Sequence, residues 1–256
     1  MKNPPSNDAR PRKRTTMARL RHAGLGIVLG AAALAAGASS EPPSSCSSDG
    51  QRAPVALLDR FISADCADCW LQKPALHASP STVALDWIVP GTQGEDAPLA
   101  VAASRDASLR LRALGLPAPA TLTTEAHPTL SAGGWHLRVA HGPELGGYIG
   151  ASIELRAPGH AGLPVRAWLA LVETLPVGTE GSVVERNLVR NVLIPAWDGH
   201  EKLSKQKRFR LYESRPMNVP TGARPERLRV IGWVEDAQGR VRVIAQSRCA
   251  SAGRRG

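Results

Sequence analysis

The sequence predicts an α/β unit followed by an antiparallel β-sandwich-like half, α+β overall, and three observations carry that expectation. After residue 54, apolar runs alternate with helical spacing in the order β-α-β-α-β. Beyond about residue 133 the pattern changes to short alternating apolar runs broken by turn residues. Throughout, 24 Gly and 21 Pro with only 4% aromatic residues predict many turns, few long helices and a core of Val, Leu, Ile and Ala. At 256 residues, 43% hydrophobic and 21% charged, the chain can bury one or two cores and is too polar for a multispan membrane protein.

Residues 1–38 read as a signal peptide. Lys2, Arg10, Arg12, Lys13, Arg14, Arg19 and Arg21 against Asp8 give this leader +6 of the formal +10. They run into an apolar stretch at 23–36, too short and too rich in Ala and Gly for a stable span, and Ala36-Gly37-Ala38 supplies a small-x-small cleavage site. Met17 is an alternative start with its own basic region. The expectation is bacterial export, periplasmic or secreted, with no stable membrane span after cleavage; an uncleaved anchor is the alternative. What remains carries about +4, ordinary for an exported protein, so no nucleic-acid partner is expected. The basic run Lys202, Lys205, Lys207, Arg208 and Arg210, beside Phe209 and Tyr212, reads as a solvated strand face rather than a phosphate-binding one, because no nucleic-acid module surrounds it.

Residues 39–53, rich in Ser and Pro, read as a flexible lead-in held by Cys46. The α/β unit then occupies 54–132. Residues 55–63 predict a strand, Asp65 a helix N-cap, and 66–77 a helix kinked at Pro74. The near-continuous apolar run at 82–89 predicts a strand covered on both faces in a parallel sheet. Residues 99–114 give the best helical spacing, with Arg105, Asp106, Arg110 and Arg112 on its exposed side, and 120–124 predict a short strand after Pro117 and Pro119. The β-rich half, 133–250, has runs near 135–141, 147–156, 165–174, 183–193, 207–213, 227–235 and 240–247, the last two joined by the hairpin-type turn Asp236-Ala-Gln-Gly239. Residues 251–256 read as a disordered tail.

Four Cys in an exported chain imply disulfides, with three pairings open. The spacing favours Cys46–Cys249 and Cys66–Cys69. The first is a structural bridge closing nearly the whole exported chain, worth roughly 5 kcal/mol at most in the chain-entropy model. The second is a C-x-x-C pair at a strand-to-helix junction. There, backbone N–H groups can stabilise a Cys66 thiolate for attack while Cys69 resolves the mixed disulfide. Against this, Asp65 and Asp68 set two carboxylates beside Cys66, and negative neighbours raise a thiol pKa. Dithiol–disulfide exchange and a stable non-catalytic bridge both stay open, with a less oxidising disulfide expected in either case.

Asp59 within its strand, Cys66-Ala-Asp-Cys69 and Pro74 five residues on resemble the thioredoxin-like superfamily. In such folds a cis-proline faces the disulfide and orients the partner, and Pro119, at the head of the third strand, is the matching position. The resemblance also implies a proton relay at Asp59 and, as partners, the thiols or disulfides of other exported proteins. A bacterial family of exported thioredoxin-like proteins, known as a domain of unknown function, is similar at Asp59-Arg-Phe-Ile-Ser63, at Arg186-Asn-Leu-Val-Arg190 and at Trp197-Asp-Gly199. Together these matches span most of residues 55–248. The sequence departs from that family at Trp70-Leu71, where a Pro pair is usual.

Other chemistry finds no support in the spacing. His136 and His141, five apart on an expected strand, face opposite sides and make a poor metal pair. There is no G-x-S-x-G elbow, H-E-x-x-H, phosphate-cradling Gly loop or EF-hand run, so no cofactor and no metal is expected. Asp86, within an apolar run, reads as a water-exposed strand end rather than a buried proton acceptor. Trp87, Trp168 and Trp233 read as core. The alternative to the redox reading is an envelope binding or structural module whose disulfides only stabilise it.

Overall fold

The computed structural model describes residues 45–74, 79–130, 133–158, 165–197 and 208–249. The leader, the 251–256 tail, Lys202, Lys205 and Lys207 of the basic run and the end of the 66–77 helix expectation lie outside them.

Among the described residues the chain is mostly β-sheet with two α-helices. The strands are β1 (Cys46–Ser47), β2 (Ala56–Ser63), β3 (Thr82–Val89), β4 (Leu122–Pro128), β5 (His136–Leu145), β6 (Tyr148–Pro158), β7 (Arg166–Leu175), β8 (Arg186–Leu193), β9 (Arg208–Asn218), β10 (Leu228–Glu235), β11 (Val241–Gln246) and β12 (Arg248–Cys249). The helices are α1 (Ala67–Leu71) and α2 (Arg105–Leu114). Every apolar run expected beyond residue 133 forms a strand, and Asp236 and Gly239 close the β10–β11 hairpin.

Two sheets form. The larger is mixed, ordered β11-β10-β7-β8-β3-β2-β4, with β2 parallel to β3, β3 parallel to β8 and the other neighbours antiparallel. The smaller is antiparallel, ordered β12-β1-β5-β6-β9. Strands from both sides of residue 133 share the larger sheet, which joins at Asp86 opposite Leu188. The runs in β2 and β3 are apolar almost throughout because neighbours cover both of their faces.

On one face of the larger sheet, Leu57, Phe61, Val83, Leu85 and Trp87 pack with Trp168, Trp233 and the buried side of α2, Ala107 and Leu111. On the other face, Leu169, Leu171, Val230 and Val234 meet Val139, Ile153 and Leu155 of the smaller sheet, forming a sandwich. Beside that sandwich, on the same face, Ile62, Ile88, Leu175 and Leu188 pack against α1. The three tryptophans are fully buried core, as their strand positions imply, and Trp168 and Trp233 stack at 5.7 Å.

Both helices are shorter than their spacing suggests. The Ser104 hydroxyl accepts from the Ala107 N–H, so α2 starts at Arg105, and Gly115 in the left-handed region ends it. A separate 3-10 turn at Ala100–Ala102 occupies the start of the expected helix. Helix α1 stops at Leu71 because Gln72 is extended, two residues ahead of Pro74, a residue the helix could not absorb. Arg110, expected on the exposed side of α2, is fully buried instead.

Candidate functional site

β2 carries the chain to Ser63, where the Cys66 N–H donates to the Ser63 carbonyl (3.0 Å) and turns it into α1. Cys66 itself is the N-cap residue, and no side chain caps the helix. Cys66 and Cys69 are joined by a disulfide, and Cys46–Cys249 is the second bridge, both as the spacing favoured. Cys66 is half-buried, whereas Cys69 is 7% exposed and lies against Ile62 and Leu188. Cys66 is thus the more accessible residue of the pair, and Cys69 lies within the packing.

Asp65 does not cap α1. Its carboxylate accepts from the Thr92 N–H (2.7 Å), the Thr92 hydroxyl (2.9 Å) and the Gln93 N–H (3.3 Å). The Thr92 N–H foremost holds this carboxyl below its ordinary range. Glycine at 91 permits the approach, since a Cβ there would lie 2.1 Å from the Asp65 carboxylate. The 91–93 loop therefore takes the charge that the sequence had set against the helix N–H groups. Asp68 stays exposed in the first turn.

The underside of α1 rests on Arg186. Its guanidinium donates to the Trp70 carbonyl (2.7 Å) and the Gln72 carbonyl (2.9 Å), lies 5.0 Å from the Trp70 ring, and pairs with Asp86 at 3.2 Å. Arg60 takes the other Asp86 oxygen at 2.7 Å, and the Asn187 N–H adds a third donor. Burial pushes the Arg186 guanidinium below its ordinary pKa, opposed by Asp86. Asp86 is completely buried, not a water-exposed strand end: β8 lies beside β3 at this position, and residues 186 and 187 of β8 close over the carboxylate. Two arginines and a backbone N–H occupy it, leaving no role as a proton acceptor.

Asp59 lies on the opposite face. Its carboxylate accepts from the Trp87 indole (2.8 Å) and twice from Arg110 (2.9 and 3.0 Å), and His127 stands at 3.2 Å. Burial opposes ionisation there, yet Arg110 and then His127 hold the carboxyl below its ordinary range. Strand alternation sends residue 59, expected as a proton relay, and residue 62 to opposite sides of the sheet, and Ile62 is the one that shares a buried cluster with Cys69. Arg110 also pairs with Glu235, which accepts from Trp168 and Trp233.

Pro119 is half-buried in the lead to β4. The Ser63 N–H donates to the Thr121 carbonyl (2.8 Å), so Pro119 sits two residues ahead of the point where this lead joins the end of β2. His136 is exposed and His141 buried, on opposite sides of β5. The Arg186–Asp86–Arg60 group was missed in the sequence. Its one signal was opposite charges inside runs apolar enough to be buried on both faces.

No family profile matches the chain. No curated protein matches it either. Among solved structures, HBP35 of Porphyromonas gingivalis is similar at a TM-score of 0.41 and 10% identity, covering 79% of this chain and 76% of that one. No helix among the described residues is long and apolar enough to cross a membrane.

Proposed function

We propose that the β2-α1-β3-α2-β4 stretch is a thioredoxin-like unit, and that the exported protein exchanges dithiols and disulfides with other exported proteins through Cys66 and Cys69. The observation that carries the reading is the N-terminus of α1, where a half-buried Cys66 stands as N-cap and no side chain competes for the first N–H groups. The parallel β2–β3 pair, the antiparallel β4 that follows Pro119, and α1 and α2 on opposite faces support the unit. Two disulfides support an oxidising compartment.

In the reduced protein, the Cys66 thiolate attacks a partner disulfide and forms a mixed disulfide while the partner's second sulfur leaves as a thiolate and is protonated. Cys69, deprotonated, then attacks the Cys66 sulfur, forming the Cys66–Cys69 bond while the partner's first sulfur leaves as a thiolate and is protonated, which releases the reduced partner. An external dithiol returns the pair to the reduced form. Pro119 is assigned the orienting role at the partner's backbone. The five-residue α1 and Asp68 in its first turn limit thiolate stabilisation, so the pair acts as a reductant rather than as a strong oxidant.

Reduction of insulin by the full chain, with a dithiol as the electron source, tests the proposal. Turnover that disappears in Cys66→Ala is the expected result. A wild-type protein no faster than dithiol alone leaves the stabilising-module reading in its place.

A further inference from the structure

The second disulfide has a neighbour that a purely structural bridge does not need. Cys46 lies in β1 between β12 and β5, opposite Cys249 on one side and His141 on the other. The two sulfurs and a ring nitrogen of His141 all lie within 4.8 Å of one another. His141 is 5% exposed, and its Nε2 has no hydrogen-bond partner. Its Nδ1 is 3.0 Å from the Gly142 carbonyl, an acceptor, so Nδ1 carries the proton in the neutral ring and Nε2 presents a bare lone pair.

Nothing within hydrogen-bond reach offers that lone pair a proton, and buried polar atoms seldom go unsatisfied. Metal-ligating histidines, by contrast, characteristically donate their other N–H to a carbonyl or carboxylate, which fixes the ring. Two thiolates and one imidazole are ligands suited to a borderline-soft divalent cation, with the fourth tetrahedral position left to water. Cys249 is exposed, which gives a cation and a reductant a way in.

We propose that Cys46, Cys249 and His141 form a redox-gated site for a zinc-like divalent cation. An external dithiol supplies two electrons, so the Cys46–Cys249 bond becomes two thiols while the dithiol becomes a disulfide. The cation then displaces both thiol protons and is held by the two thiolates and His141 Nε2. A coordination link replaces the covalent one, and β12 stays tied to β1 and β5. The site does not depend on the Cys66–Cys69 chemistry.

The test uses the full chain carrying Cys66→Ser and Cys69→Ser, reduced with a phosphine and titrated with cobalt(II), then zinc(II). The expected result is one cation per chain, with sulfur-to-cobalt charge-transfer absorption, displacement by zinc, and no such binding before reduction. His141→Ala, folded in its oxidised form and reduced in place, is expected to bind more weakly by at least about tenfold, the least that loss of even an outer-shell partner costs. Zinc is also expected to raise the thermal midpoint of the reduced chain. Absence of binding after reduction, equal affinity in His141→Ala, or a reduced chain that zinc leaves unfolded each overturns the proposal.

Discussion

Asp59 and Arg60 are neighbours in β2, yet the pleat sends them to opposite faces of the larger sheet, where each enters a different buried charge cluster. On one face, Asp59, Arg110 and Glu235 are closed in by Trp87, Trp168 and Trp233, and the Arg110 guanidinium lies 5.0 and 5.1 Å from two of the indole rings. On the other, Asp86, Arg60 and Arg186 reach out of the sheet to the backbone of α1. The first cluster joins strands and helix into a core. The second holds the helix that carries Cys69. Two similar sets of charges, one residue out of phase, thus do different work because of what stands above them.

The largest effect that would break this contrast is expected from Arg110→Met. It leaves Asp59 and Glu235 buried without their cation, and the expected loss is about 3–5 kcal/mol in denaturant unfolding. The reduction potential of the Cys66–Cys69 pair is expected to stay unchanged. Arg186→Met should destabilise less, about 2–3 kcal/mol, because Arg60 still pairs with Asp86 while the Trp70 and Gln72 carbonyls lose a donor. This variant, unlike the first, is expected to shift that potential, measured against a glutathione buffer. Equal potentials in both variants would erase the distinction between the faces.

Acid sharpens the same comparison. The Asp59 carboxyl is held below its ordinary range, so its contribution is full above the unfolded value of about 3.9 and is lost as pH falls through the lower folded value. Arg110→Met removes the largest of the charges that lower it, so the acid-unfolding midpoint, followed by circular dichroism, is expected to move to higher pH. The smallest effect is expected from Asp65→Ala, which releases the 91–93 loop. The thermal midpoint should drop slightly, with greater proteolysis near residue 92 and the Cys66–Cys69 bond intact.

Strand content was legible because period-two alternation is local, and each expected run beyond residue 133 became a strand. Partner choice was not. Nothing in the spacing says that β8 lies beside β3 rather than inside a separate sandwich, because register and neighbour are set by packing across the sheet. Both disulfides followed from the count and positions of Cys, since few pairings compete. The buried charges failed for one physical reason: Arg110 on a helix or Asp86 in a strand reads as solvent-facing until a distant counter-charge is placed over it. The support of α1 was likewise out of local reach, as the arginine that takes its last carbonyls lies 116 residues on from Trp70.

The Cys46–Cys249 bond spans a sequence separation of 203, which makes nearly the whole described chain a covalent ring. Tension applied at the two ends would run through that bond and bypass the sheets inside the loop. A protease cut at any one exposed turn would open the ring into a line without releasing a fragment, and two bands would separate on a gel only after the bridge was broken.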